Sequence, residues 1–136
     1  MARHAKQESE QLHTVFVYGT LKREFSNHYF LRNAKFVGSA RTCERYSLYV
    51  DEFPLVFRGE PISQIRGEVY AVDDPTLTRL DSLEGHPREY RREEIDVQLQ
   101  SGERVRAWMY FYPERNGRLI SSGEYKLTTG LGREVL

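Results

Sequence analysis

The chain has 136 residues, a length that fits one domain on the usual expectation of about 100–200 residues. Its 20 basic and 20 acidic side chains are scattered along the sequence and give a formal net charge of +0, so no long-range field favours nucleic acid or an anionic membrane, and neither is expected as a partner. A single cysteine excludes an internal disulfide, and no apolar run approaches the roughly 18 residues of a membrane span.

The first thirteen residues are mostly basic, acidic and amide side chains, with no apolar stretch suited to a signal peptide. Residues 1–13 are therefore expected to form a flexible polar tail, residues 14–136 a single domain, and the compartment is expected to be the cytoplasm. Val15 to Tyr18 is short, β-branched and aromatic, and is bounded by Gly19, which predicts a buried strand. Asn27 is placed to cap a brief helix through Arg32. Lys35 to Val50 alternates apolar and polar stretches and fits either one long bent strand or two strands joined near Arg45. Within it, Cys43 reads as a small buried hydrophobe.

Leu55 to Phe57 is a further short strand, entered through Pro54. Ile65, Gly67, Val69 and Ala71 alternate with Arg66, Glu68, Tyr70 and Val72, the period of a half-buried strand. The alternations at 94–99 and 105–112 predict a hairpin across Ser101-Gly102. After Pro113 the chain is Gly-rich and polar, with Tyr125 as its main apolar anchor. Many short strands with little helix describe a mostly β domain that closes or nearly closes on itself, although periodicity alone does not separate a barrel from an open α+β sheet.

Between two of these strands lies one amphipathic helix. Asp74 before Pro75 is a good start, because aspartate accepts from first-turn amides and proline is tolerated at the first helical position; Gly85, with Pro87 beyond it, is a good stop. At about 100° per residue, with Leu77 at zero, Leu80 falls at about 300°, Leu83 at about 240° and Glu84 at about 340°. Glu84 thus points with the leucines, while Asp81, at about 40°, lies at the edge of the apolar arc and can reach solvent. A carboxylate on a buried face is costly unless it is neutralised, bonded or used. Burial and the negative end of the helix dipole both favour its protonated form, so its pKa is expected to be raised toward that of a general base and acid. Helix geometry equally allows Glu84 to fray outward or to pair with Arg88 or Arg91.

The turn Tyr18-Gly19-Thr20-Leu21 leaves the first strand at a residue that can take positive φ, so its consecutive amides can face one concavity and hold a carboxylate or an oxyanion. Taken alone it also fits a simple turn. No histidine among His4, His13, His28 and His86 has metal-ligand spacing, Ser121-Ser122-Gly123 is not a nucleophile elbow, and there is no Gly-rich phosphate loop.

Joined, the segments Val15-Phe16-Val17-Tyr18-Gly19-Thr20-Leu21-Lys22 and Leu80-Asp81-Ser82-Leu83-Glu84-Gly85-His86-Pro87, followed by Tyr90, resemble the gamma-glutamylcyclotransferase-like (AIG2-like) family, most closely its gamma-glutamylamine cyclotransferase branch. The resemblance extends through Asn27-His28, Leu31-Arg32 and Gly67-Glu68-Val69-Tyr70, so it spans most of residues 15–112. It implies an α+β fold, a small, mostly antiparallel mixed β-barrel with one to three peripheral helices. It also implies an enzyme that turns a gamma-glutamyl amine or amino acid into 5-oxoproline and free amine, with no metal or organic cofactor. By the same resemblance, the loop Tyr18, Gly19, Thr20 and Leu21 grips the gamma-glutamyl group, and Glu84 moves the protons. Phe53, Tyr90 and Tyr110, with Tyr18, are candidate pocket walls, though each also fits plain barrel packing. Other readings stay open: a non-catalytic module that binds a small carboxylate or a protein on the same barrel, and an enzyme that removes a gamma-glutamyl group from a larger biosynthetic conjugate. The glutathione-specific branch carries serine where Thr20 stands, which turns the expectation away from glutathione.

Overall fold

The computed structural model describes residues 11–126. Most of the expected polar tail, residues 1–10, lies outside them, as do residues 127–136 of the expected domain. His13, expected as the last residue of the tail, opens the first strand, β1 (His13–Val17).

Six further strands follow: β2 (Lys35–Val50), β3 (Pro54–Phe57), β4 (Ser63–Val72), β5 (Arg91–Leu99), β6 (Arg104–Phe111) and β7 (Arg118–Leu119), with one helix, α1 (Asp74–Glu84), between β4 and β5. β1 pairs antiparallel with β4, from His13 opposite Val72 to Val17 opposite Glu68, and parallel with β6 at Val15 opposite Trp108. β5 and β6 form the hairpin expected across Ser101-Gly102. β2 pairs with β4 on one side and, through Ala40, Arg41 and Thr42, with β5 on the other. The ring β2-β4-β1-β6-β5 thereby closes into a mixed five-stranded barrel, as the resemblance implies. The far end of β2, Ser47 to Val50, leaves the ring and pairs with β3, and Tyr49 and Val50 also pair with β7.

β2 is one strand, with irregularities between Phe36 and Gly38 and between Arg41 and Arg45, the second at the expected joint. The break is stitched by Thr42, which is fully buried: its hydroxyl donates to the Glu44 carbonyl at 2.6 Å and accepts from the Ile65 amide at 2.9 Å. Next to it, Cys43 is half-buried rather than buried, because the bulge turns it from the core.

Alternation along β1 divides two cores. Phe16 points into the barrel with Ile65, Val69, Val97 and Met109, whereas Val15 and Val17 point outward, where Leu77 and Leu80 of α1 cover them together with Tyr70 and Val72. This alternate use of neighbouring residues lets one strand serve both layers. Where β4 crosses the end of β1, Gly67 permits a contact that no other residue allows: a Cβ there would stand 2.2 Å from the Val17 carbonyl oxygen. Gly67→Ala is therefore expected to cost about 1–3 kcal/mol by forcing the strands apart, measurable as a lowered urea midpoint; an unchanged midpoint would show that the strands yield freely.

α1 is capped one residue earlier than the sequence pattern indicated. Asp73, in extended geometry, accepts from the Thr76 amide at 2.9 Å, and Asp74 and Pro75 begin the helix. The reason is geometric: a cap must be non-helical itself, and Asp74 already has helical neighbours. The helix stops at Gly85, whose φ of 69° is left-handed and whose amide bonds back to the carbonyls of Asp81 and Ser82. The helix expected after Asn27 is a single 3-10 turn, His28–Leu31, and the Asn27 side chain does not cap it.

Candidate active site

The chain leaves β1 at Tyr18 and turns at once. The Lys22 amide donates to the Gly19 carbonyl at 3.0 Å, and the Asn27 amide to the Thr20 carbonyl at 3.0 Å, so the turn is held through its carbonyls. Asn27 also donates through Nδ2 to the Thr20 hydroxyl at 2.8 Å, which is why it caps no helix. Among the described residues, no backbone or side-chain acceptor is bonded to the amides of Gly19, Thr20 or Leu21. Three successive donors are thus left for a ligand. Gly19 is required for a different reason from the expected positive φ, which it does not adopt: a Cβ there would lie 2.7 Å from Pro54 Cγ, so only glycine lets the start of β3 close over the loop.

Across from this loop stands the last residue of α1. Glu84 is half-buried and lines a cavity of about 290 Å3 shared with Tyr18, Gly19, Thr20, Leu21, Phe53, Tyr90 and Tyr110. All eight residues singled out in the sequence therefore meet at one cavity, with Phe53 largely exposed at its rim. No ion pair or hydrogen bond engages the Glu84 carboxylate among the described residues, so neither Arg88 nor Arg91 neutralises it. Burial, with a smaller contribution from the negative charge of Glu89, pushes its pKa up to about 7. The direction agrees with the expectation, with the neighbouring Glu89 carboxylate as the second cause in place of the helix dipole.

The tyrosines are fixed by hydrogen bonds rather than free to ionise. Tyr18 is buried and donates to the Tyr110 carbonyl at 2.9 Å; Tyr90 donates to the Pro54 carbonyl at 3.0 Å and packs edge-on against Tyr112 at 5.1 Å. Burial raises the pKa of Tyr18, Tyr90 and Tyr110 in each case, so all three are neutral walls at physiological pH. The site thus combines free amides, one carboxylate poised near neutrality and an aromatic enclosure. That set can hold an anionic group and move a proton beside it.

Residues 15–127 match the family described as Gamma-glutamyl cyclotransferase, AIG2-like. The chain belongs to this family. A Methanocaldococcus jannaschii protein named as a candidate gamma-glutamylcyclotransferase is 52% identical over 113 residues, covering 82% of this chain and 94% of its own. An Escherichia coli K12 gamma-glutamylcyclotransferase family protein is 34% identical over 114 residues, covering 82% of this chain and 94% of its own. The crystal structure of a mouse AIG2-like protein superposes with a TM-score of 0.69 at 32% identity, over 74% of this chain and 77% of that one.

Behind the site of this cyclotransferase-family chain lies a polar network that the helical wheel did not reveal. Asp81 does not reach solvent freely; it takes a bidentate contact from Arg92, at 2.8 and 2.9 Å, and a hydrogen bond from the Tyr110 hydroxyl at 2.7 Å. Burial alone would raise its pKa, but the bonds from Arg92 and Tyr110 prevail and hold it below the ordinary value. The Arg92 guanidinium in turn stacks 4.4 Å from the Trp108 ring centroid, tying α1 to β5 and β6. Asp81→Asn is expected to lower the unfolding free energy by about 1–2 kcal/mol, the loss of charge-assisted bonds at a partly exposed site. Urea denaturation reads this directly, and an effect below the error of the fit would leave the network without structural weight.

Six further residues line the cavity, Phe16, Val17, Asn27, Pro54, Leu83 and Glu89, none of which the sequence marks as a pocket residue. Phe16 and Val17 fit the buried strand, Pro54 the strand entry, and Asn27 both a helix cap and the family resemblance. Leu83 was assigned to the buried arc, yet it is 37% exposed because the helix ends at the cavity mouth. Glu89 had a signal in the sequence: the Gly85-to-Pro87 turn reverses the chain and returns it beside Glu84, where the Tyr90 amide bonds to the Glu84 carbonyl at 3.1 Å. Among the described residues no group of three or more His, Cys, Asp or Glu side chains is arranged to hold a metal ion, and no helix is long and apolar enough to cross a membrane.

Proposed function

We propose that this chain is a gamma-glutamylcyclotransferase that converts a gamma-glutamyl amine or amino acid to 5-oxoproline and the free amine. The observation that carries this reading is the Glu84 carboxylate, unpaired and raised to about 7, lining the same cavity as the three free amides of Gly19, Thr20 and Leu21. Membership of the family, and the names its relatives bear, support it.

In this reaction the α-amino nitrogen of the substrate attacks its own γ-carbonyl carbon. Glu84 takes a proton from the attacking nitrogen as the new C–N bond forms, and the carbonyl oxygen carries negative charge that the loop amides stabilise. The old C–N bond then breaks, and Glu84 returns the proton to the departing nitrogen. Atoms and charge balance within substrate and side chain, so the scheme needs no metal or organic cofactor. Ring closure is unimolecular, and the aromatic walls Tyr18, Tyr90, Tyr110 and Phe53 hold the substrate folded while excluding water. A cavity of about 290 Å3 lies at the lower end of small-molecule sites, which run to roughly 300–1,000 Å3, and suits an amino-acid-sized group with its leaving amine toward the rim.

The test is release of 5-oxoproline, followed by mass spectrometry, from a panel of gamma-glutamyl amino acids and gamma-glutamyl amines. Turnover of any member is the expected result. Tight binding of those compounds without turnover would instead favour a binding module on the same barrel.

A further inference from the structure

Among the described residues Lys22 is the only charged side chain that is buried, with 7% of its surface exposed, and no step of the reaction proposed above uses it. It follows directly on Leu21, the last residue of the free-amide loop, and its own amide closes that turn on the Gly19 carbonyl at 3.0 Å. Its side chain does not line the cavity. Instead Nζ donates to the Tyr125 carbonyl at 2.6 Å, and among the described residues no carboxylate stands within ion-pair distance of it. Next to it, the Arg23 amide donates to the Glu68 carboxylate at 3.0 Å, and Glu24 takes a left-handed φ of 75°, costly for a residue other than glycine unless its neighbours enforce it.

Tyr125 belongs to a strap, residues 118–126, that is fixed on its own account. β7 pairs with the end of β2, the Ile120 amide donates to the Leu48 carbonyl at 2.8 Å, and the Arg66 amide of β4 donates to the Gly123 carbonyl at 2.9 Å. Gly123, at a φ of 78°, lies so close to β4 that a Cβ would stand 2.2 Å from the Gln64 carbonyl oxygen. Beyond it the Tyr125 ring meets the Phe25 ring at 5.2 Å, and the Lys22 ammonium stands 5.4 Å from the centre of that same Phe25 ring. Two residues of the segment leaving the amide loop thus clasp one residue of the strap. A buried ammonium met by a neutral carbonyl costs stability. Burial lowers its pKa, against the opposing pull of Glu124 and Glu68. An apolar side chain of similar length would fill the space without that cost, but it could not hold the loop by a hydrogen bond.

Resting on the reaction proposed above, we propose that Lys22 is a positioning residue that, through its hold on Tyr125, keeps the amides of Gly19, Thr20 and Leu21 aimed at the developing oxyanion. The strap thereby serves the active site, although none of its residues lines the cavity.

Lys22→Met separates this role from a purely structural one. Release of 5-oxoproline is expected to fall about 100-fold in kcat, the scale of a displacement of about 1 Å at a catalytic group, with KM little changed because the oxyanion forms only in the transition state. The urea midpoint should hold or rise, since methionine escapes the cost of burying a charge. The pH of half-maximal kcat/KM should stay near 7, since Glu84 is untouched. Backbone 15N relaxation reads the loop without turnover: the order parameters of Gly19 to Leu21 should drop from about 0.85 to below about 0.6 in the variant. Tyr125→Ala tests the same hold from the other side in a chain that keeps Lys22, and is expected to lower kcat about tenfold. An unaltered kcat in either variant, or a loss in Lys22→Met that follows a lowered urea midpoint with the loop still ordered, overturns the assignment of Lys22 alone. A wild type that releases no 5-oxoproline from any gamma-glutamyl compound overturns the underlying reaction instead, and unchanged loop order in Lys22→Met would then overturn the hold on the loop as well.

Discussion

Glu84→Gln is expected to lower 5-oxoproline release by about a thousandfold, the middle of the range of roughly 10²–10⁴ that a positioned general base and acid contributes. Glutamine keeps the size and shape of the side chain, so the Tyr18, Tyr90 and Tyr110 walls close around it as before. It has no basic oxygen to receive the proton of the attacking nitrogen. The fold should gain. Glu84 has its pKa raised to about 7 in the folded chain from an ordinary 4.5. A carboxyl with a raised folded pKa stabilises the fold fully below its unfolded value, and that stability is lost as pH rises from about 4.5 through about 7. Above that window the ionised carboxylate costs on the order of 2 kcal/mol, after allowance for its partial exposure. Glu84→Gln escapes this cost, so it should be more stable than wild type at pH 8 and lose that advantage by pH 4.5. Paired urea titrations at the two pH values, beside the release assay, read both effects. A variant that retains activity within tenfold would remove Glu84 from the chemistry, whatever its stability.

The second large effect is on pH dependence. If the working form is the Glu84 carboxylate, kcat/KM should rise with pH, reach half its plateau near 7, and at pH 5 lie about 100-fold below the plateau, because two units below the pKa only about 1% of the base is ionised. The groups that face it do not obscure this limb: burial holds Tyr18, Tyr90 and Tyr110 protonated, and Glu89 acts by raising Glu84. A profile still flat at pH 5 would mean a base with an ordinary carboxylate pKa, and hence a different residue.

Local pattern carried much of the fold. The alternations at 65–72, 94–99 and 105–112 fall, Tyr112 apart, within β4, β5 and β6, which start one to three residues earlier, and Gly85 ends the helix as a left-handed cap. The ring closure did not follow from pattern, since Ala40 opposite Leu99 and Val15 opposite Trp108 join residues distant in sequence, and period-2 alternation says which face is buried but not which strand lies beside it. Only the family resemblance favoured a barrel over an open sheet. At the site, the wheel was right about the face Glu84 occupies and incomplete about Asp81, because an angle does not reveal an arginine waiting on another strand. Gly19 shows the same limit: its need for glycine arises from Pro54, thirty-five positions away in sequence and 2.7 Å from where a Cβ would be. Side chains whose reasons are local were readable, and those whose reasons are tertiary were not.

The order in which the ring is joined also bears on how the chain reaches its native state. β1 can zip to β4 once residue 72 is available, and β5 can pair with β6 locally, but the parallel seam at Val15 and Trp108 must wait for almost the whole ring. Contacts of such sequence separation are slow to form because a long loop must close first. During synthesis the Gly19-to-Leu21 loop leaves the ribosome before the other elements of the cavity, yet Tyr18 cannot anchor to the Tyr110 carbonyl until β6 has emerged. The earliest-made part of the cavity is thus among the last to be set in place, and a chain stalled before β6 would carry the loop without its anchor.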